Sequence, residues 1–158
     1  MRKIKLLSIL ALLILFACNS DQVYKSHIKD FKDYRWANNR ILEFTPEMTD
    51  TIDEYKVYLA LRHVYGFQFE IVKVEVTSTS PSGKTEIQNY DMHLFGKDKV
   101  YLGDCAEDIC DLEVMIEEHK VFHEVGTYSY KIQNKMPLDY LPNVMEFGLI
   151  IEKYPIAE

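Results

Sequence analysis

Cysteine is scarce in this 158-residue chain: Cys18, Cys105 and Cys110 are the whole supply. Three thiols so placed do not make a disulfide framework, nor do they bring the clustered Cys and His ligands of a structural zinc site. Glycine (six) and proline (five) are also few, which excludes collagen-like and low-complexity architectures. Basic residues are outnumbered, 18 Lys and Arg against 25 Asp and Glu, for a formal charge of −7. That balance argues against nucleic acid and against adhesion to anionic lipid through a basic patch. No uncharged run reaches the roughly 20 residues a helix needs to cross a bilayer. A P-loop, the G-x-G-x-x-G fingerprint and the G-x-S-x-G elbow are missing as well, so the usual sequence marks of nucleotide or serine-hydrolase chemistry do not appear.

What is present begins at the N-terminus. Arg2, Lys3 and Lys5 precede an uncharged apolar stretch over residues 6–18, 13 residues long. A basic start, a short apolar segment and a small residue at its end describe a secretory leader. Leu15-Phe16-Ala17-Cys18 resembles a bacterial lipobox. The resemblance implies cleavage before Cys18 and diacylation of its sulfur, and two or more acyl chains hold a protein stably to a membrane without spanning it. The expected organisation is a leader over 1–17, the lipidated Cys18 and a polar tether over 18–38, and one folded domain over 39–158. The leader takes three basic residues and no acidic ones, leaving 15 against 25 and a charge of −10.

Within the domain the apolar period is two. Tyr55, Val57, Leu59 and Leu61 alternate with Lys56, Tyr58, Ala60 and Arg62; Tyr128, Tyr130 and Ile132 alternate with Ser129, Lys131 and Gln133; Phe147, Leu149 and Ile151 share one side. This is the pattern of half-buried strands. Between Phe67 and Val76 the parity shifts by one, which predicts a bulge or a strand that changes its buried face. Ser80-Pro81-Ser82-Gly83-Lys84 reads as a turn, and Gly96-Lys97-Asp98 as a tight turn between two strands. The stretch 111–126 fits a helical stripe through Leu112, Met115, Ile116, His119, Phe122 and His123, but its β-branched residues favour a strand, a turn and a second strand. Pro137 and Pro142 allow one or two helical turns at most nearby. About eight short strands without βαβ alternation predict an all-β fold, a single antiparallel β-sandwich.

Few residues stand out as sites. Cys105 and Cys110 lie in an acidic loop, where a disulfide is the default for an oxidising compartment; free thiols and a metal site with Asp104, Glu107, Asp108 and Asp111 are the other readings. Trp36 is read as a core or edge-packing residue, with a binding face as the alternative. Arg62 sits in a strongly strand-like segment, where it either pairs with a carboxylate across the sheet or marks a polar groove for a partner. His119 and His123 are four apart, which is metal spacing on a helix but roughly 13 Å on a strand, so a solvated or edge pair is expected. His27, His63 and His93 are scattered. No constellation reads as an active site, and no metal or cofactor is called for.

Taken in order, these features resemble the gliding motility-associated lipoproteins of the GldH type from Bacteroidetes. The resemblance is carried by Cys18 after a short leader, Trp36 and Phe44 ahead of Asp53-Glu54-Tyr55, and Leu59-Ala60-Leu61-Arg62-His63. It continues through Pro81-Ser82-Gly83, Tyr90-Asp91, Leu102-Gly103-Asp104 and Gly126-Thr127-Tyr128-Ser129-Tyr130-Lys131-Ile132 to Phe147-Gly148-Leu149-Ile150-Ile151-Glu152-Lys153. It implies a cell-envelope lipoprotein, attached to a membrane by its lipid (the outer membrane, since Asn19 is not acidic), that works with other envelope proteins of the gliding machinery and catalyses no reaction. The alternative is a glycan- or ligand-binding module using Trp36, Tyr58 and Tyr65. A planar stripe of exposed rings favours sugar, whereas a contiguous apolar patch with a polar rim favours protein.

Overall fold

Alternating segments become strands where one face finds a core to bury. The computed structural model describes residues 21–155, and the lipidation site expected at Cys18 and the leader lie outside them. An antiparallel sheet of five strands has the spatial order β1 (Gln22–Ile28), β13 (Val144–Lys153), β5 (Glu54–Val64), β9 (Ile109–Val121) and β8 (Asp104–Ala106). A second, four-stranded antiparallel sheet has the order β3 (Ile41–Phe44), β11 (Ser129–Asn134), β6 (Ile71–Thr79) and β7 (Thr85–His93). Two small ribbons pair β2 (Trp36–Ala37) with β12 (Tyr140–Leu141), and β4 (Glu47–Met48) with β10 (Gly126–Thr127). Among the described residues the only helical element is a 3-10 turn at Lys32–Tyr34. The fold is an all-β sandwich.

One apolar cluster draws on both sheets. Leu59, Leu61, Leu112, Phe147, Leu149 and Ile151 meet Leu42, Val72, Val74, Val76, Tyr130 and Ile132. Direct cross-strand partners share a face, so the rows Phe147, Leu61, Leu112 and Leu149, Leu59, Val114 form continuous apolar lines across β13, β5 and β9. All three alternating segments keep the faces read from sequence. Trp36 is fully buried between Phe31 and Phe147, 4.6 Å from the Phe147 ring, and its indole N–H donates to the Arg40 carbonyl at 3.0 Å.

Four local expectations are corrected. Residues 22–37 are part of the fold, not a tether: β1 pairs with β13, and Lys153 N–H donates to the Asp21 carbonyl at 2.7 Å. An edge strand buries one face only, so Tyr24 and Ile28 suffice to place it while its composition stays polar. The parity shift after Phe69 is not a bulge, because the chain leaves the sheet over residues 65–70 and β6 begins at Ile71. The stretch 111–126 holds no turn before Val121; β9 is one 13-residue strand whose register against β5 shifts twice. The second strand after Gly96 shrinks to a single bridge between Phe95 and Tyr101, though the turn itself forms, with Lys99 N–H donating to the Gly96 carbonyl at 3.0 Å. The turn at 80–84 forms as read, closed by Ser80 N–H to the Lys84 carbonyl at 2.8 Å.

Candidate functional site

Register places Arg62 on the outer face of the five-stranded sheet, between Glu146 on β13 and Asp111 on β9. Its guanidinium donates twice to Asp111, at 2.6 and 2.9 Å, and once to Glu146 at 2.8 Å. The bidentate pair holds the Asp111 carboxyl below the usual carboxylate range. Lys29 adds a contact to Glu146 at 3.3 Å. Of the two roles read for Arg62, the geometry is that of cross-sheet pairing, and the exposure of both partners limits the Asp111 pair to about 1 kcal/mol. One step along, His27, Gly148, Ala60 and Glu113 form the next outer row. The His27 imidazole lies against Gly148 so closely that a Cβ there would stand 2.6 Å from Cδ2. Glycine in mid-strand is explained by that close approach. Tyr58, half-buried, occupies the row beyond, between Ile150 and Met115.

The end of the sandwich where β5 finishes and β9 begins is the far end from Gln22, roughly 30 Å along the strands. Three loops meet there. Tyr65 N–H donates to the Asp108 carbonyl at 2.8 Å, joining the loop after β5 to the turn between β8 and β9. Cys105 and Cys110, direct partners across that hairpin, are disulfide-bonded. Tyr101, from the third loop, bonds the buried His63 ring at 2.7 Å. Around this junction Tyr65 (67%), Val100 (60%), Leu102 (57%) and Ile109 (40%) stand exposed. At the same end Tyr65 lines an apolar cavity of about 230 Å³ with Phe67, Leu94, Phe95, Tyr101 and the disulfide.

His63 was unremarkable as a sequence singleton, yet it ties this end together. Its Nδ1–H donates to the Val64 carbonyl at 2.8 Å, which leaves Nε2 to accept from the Tyr101 hydroxyl. Burial lowers its pKa, as it does that of His27. A histidine whose folded pKa is depressed lets the unfolded chain take a proton first, so folding stability falls as pH drops through the unfolded value, about 6.5. The denaturation midpoint is expected to decrease between about pH 7.5 and pH 5.5, with a shallower decrease in His63→Gln. An unchanged slope in that variant rejects the assignment.

The residues singled out in the sequence do not converge. Trp36 is in the core, which removes it from any binding face; Tyr65 belongs to the exposed far end; Tyr58 and Arg62 lie on the outer sheet face. A planar stripe of solvent-facing rings is therefore not assembled from Trp36, Tyr58 and Tyr65. His119 bonds Glu54 at 2.8 Å and stacks on Tyr154. Among the described residues no group of three or more His, Cys, Asp or Glu side chains is placed to hold a metal. No described helix is long and apolar enough to cross a membrane. Sequence reasoning missed Val100, Leu102 and Ile109, because isolated apolar residues in loops carry no period; the only signal was their density near Gly96 and Gly103.

Comparison with known proteins adds three findings. The family model described as GldH lipoprotein matches residues 22–151. The gliding motility lipoprotein GldH of Flavobacterium johnsoniae is 22% identical over 157 residues, covering 92% of this chain and 93% of that one. Among solved structures, TmCBM61 in complex with beta-1,4-galactotriose covers 84% of this chain and 82% of its own at 10% identity, with a TM-score of 0.34.

Proposed function

This chain belongs to the GldH lipoprotein family, and from that premise we propose that its domain is a lipid-anchored, non-enzymatic interaction component of the gliding machinery. At the family level it is a lipoprotein of gliding motility. The finer reading is that the far end of the sandwich holds another envelope protein, with the domain outside the cytoplasm and the lipid in the outer membrane. The observation that carries it is the exposure of Tyr65, Val100, Leu102 and Ile109 at this end, with an apolar cavity that Tyr65 lines. Asp104, Glu107 and Asp108 are exposed on the adjoining hairpin of β8 and β9. An apolar centre with a polar rim is what protein interfaces present. The hairpin disulfide and the bonds of His63 hold the three loops in place, which limits the ordering cost of docking.

The test is crosslinking in intact gliding cells followed by capture of the tagged protein. Tyr65→Glu combined with Leu102→Glu places charge in the patch at exposed positions, so the denaturation midpoint should barely move. Capture of the envelope partner is expected to fall about tenfold or more. Undiminished capture locates the interface elsewhere. Recovery of a sugar polymer and no envelope protein rejects the reading altogether.

A further inference from the structure

The two sheets meet through apolar rows over most of their area, but not at the Gln22 end between β7 and β9. On the four-stranded sheet Phe44, Tyr130, Ser78 and Glu86 are successive cross-strand partners and share the inner face. That row starts apolar and ends in a hydroxyl and a carboxylate. On the facing sheet Leu112 and Val114 point inward, and strict alternation would continue with Ile116 and Glu118. The two register shifts change this: Glu117 comes to lie opposite Val57 and Lys120 opposite Tyr55, both of which are core positions. Bulges re-aim side chains in this way beside functional sites. Glu117 and Lys120 bond each other at 2.8 Å, and Lys120 reaches across to Glu86 at 4.0 Å. Between these walls is an open cleft of about 580 Å³.

Tyr130 forms part of its lining and is only 1% exposed. Its hydroxyl has no hydrogen-bond partner among the described residues. Burial, then the charge of Glu117, pushes the phenol pKa up, which keeps the hydroxyl neutral and marks its nearness to the acidic wall. Buried hydroxyls are normally bonded, so an unbonded one beside a polar cleft needs a reason.

We propose that this cleft binds a neutral polyhydroxylated ligand, a sugar unit of a glycan, with the Tyr130 hydroxyl as its deepest contact and Ser78, Glu86, Glu117 and Lys120 around it. The charges exclude an anion and leave a neutral ligand favoured over a cation at the paired glutamates. Lys120 is held by Glu117 and Glu86, Lys84 bonds Glu86 at 3.0 Å, and Glu124 accepts from Ser80 and Ser82 at 2.8 Å. Glu118 and Glu124 also line the cleft without a lysine partner among the described residues, so an anion is repelled, while the lysine pairing of Glu86 and Glu117 weakens the pull on a cation. Carboxylates paired in this way keep lone pairs free for hydroxyl donors, and the volume falls in the range of small-ligand sites. The cleft lies at the opposite end from the partner patch, so it goes beyond the protein-docking reading and either can fail alone.

Calorimetric titration of the mature chain with maltotriose, cellotriose and chitotriose, beside trilysine and inorganic phosphate, tests it. At least one trisaccharide is expected to bind in the millimolar range or tighter. Tyr130→Phe should weaken that binding about threefold to tenfold while leaving the melting temperature unchanged or higher, because it removes an unbonded buried hydroxyl. Glu117→Gln should also weaken it. Binding of trilysine or phosphate without any trisaccharide overturns the proposal, as does no binding at all. Equal sugar affinity in Tyr130→Phe overturns it too, and so does a lower melting temperature for that variant.

Discussion

Replacing Trp36 with alanine is expected to destabilise the domain by about 3–5 kcal/mol. The indole is completely buried, packs on Phe147 and Phe31, and donates its N–H to the Arg40 carbonyl. Truncation therefore loses apolar burial, opens a cavity and orphans an acceptor. The backbone at this point is also used: β2 pairs with β12, and the Asn134 amide donates to the Trp36 carbonyl at 3.2 Å. Collapse of the site is restricted by those bonds, which places the cost toward the upper part of the range. For a domain of this size the melting temperature should fall by about 10–20 °C. Trp36→Phe keeps most of the burial and should recover a good part of the loss. A Trp36→Ala variant as stable as wild type, with altered partner capture, would return this residue to a binding face.

Replacing Cys18 with alanine is expected to move the protein almost completely from the membrane fraction to the soluble one. The anchor is a proposal from the lipobox resemblance, and the fold sharpens what it does. Gln22 opens β1 only four residues after Cys18, so the covalent reach between the lipid and the sandwich is at most about 14 Å. If Cys18 carries the lipid, that reach ties the Gln22 end of the sandwich, and not the end with Tyr65, to the bilayer. Each buried methylene contributes about 0.8 kcal/mol, so losing the acyl chains removes the dominant attachment. The charge of −10 expected after cleavage disfavours attachment to anionic lipid in its place. Folding should be unaffected, since the core packed among the described residues starts beyond Cys18. The mass of the mature N-terminus and fractionation after a salt wash give the result; a variant that still sediments with membranes rejects the anchor.

The strands were legible where one face is buried and the other wet. Tyr55, Val57, Leu59 and Leu61, or Tyr128, Tyr130 and Ile132, announce their faces because a period of two has one solution. Legibility failed where burial is slight or interrupted. β1 looked like a tether because an edge strand needs few apolar residues. β9 looked broken because Glu117, Glu118 and His119 interrupt the apolar alternation, and single-residue bulges leave no compositional trace.

The chain's own order of residues determined the all-β class, the acidic balance and the alternating core faces, all of which depend on local composition and period. Tertiary structure alone decided that Trp36 is core, that Arg62 serves Asp111 and Glu146, that three loops raise an apolar patch at one end, and that Glu117 and Lys120 turn into a cleft at the other. Those outcomes depend on register between segments distant in the chain, such as β5 with β9 and β1 with β13. A one-residue change in register exchanges the inside and outside of every side chain that follows, and no window of sequence contains both partners.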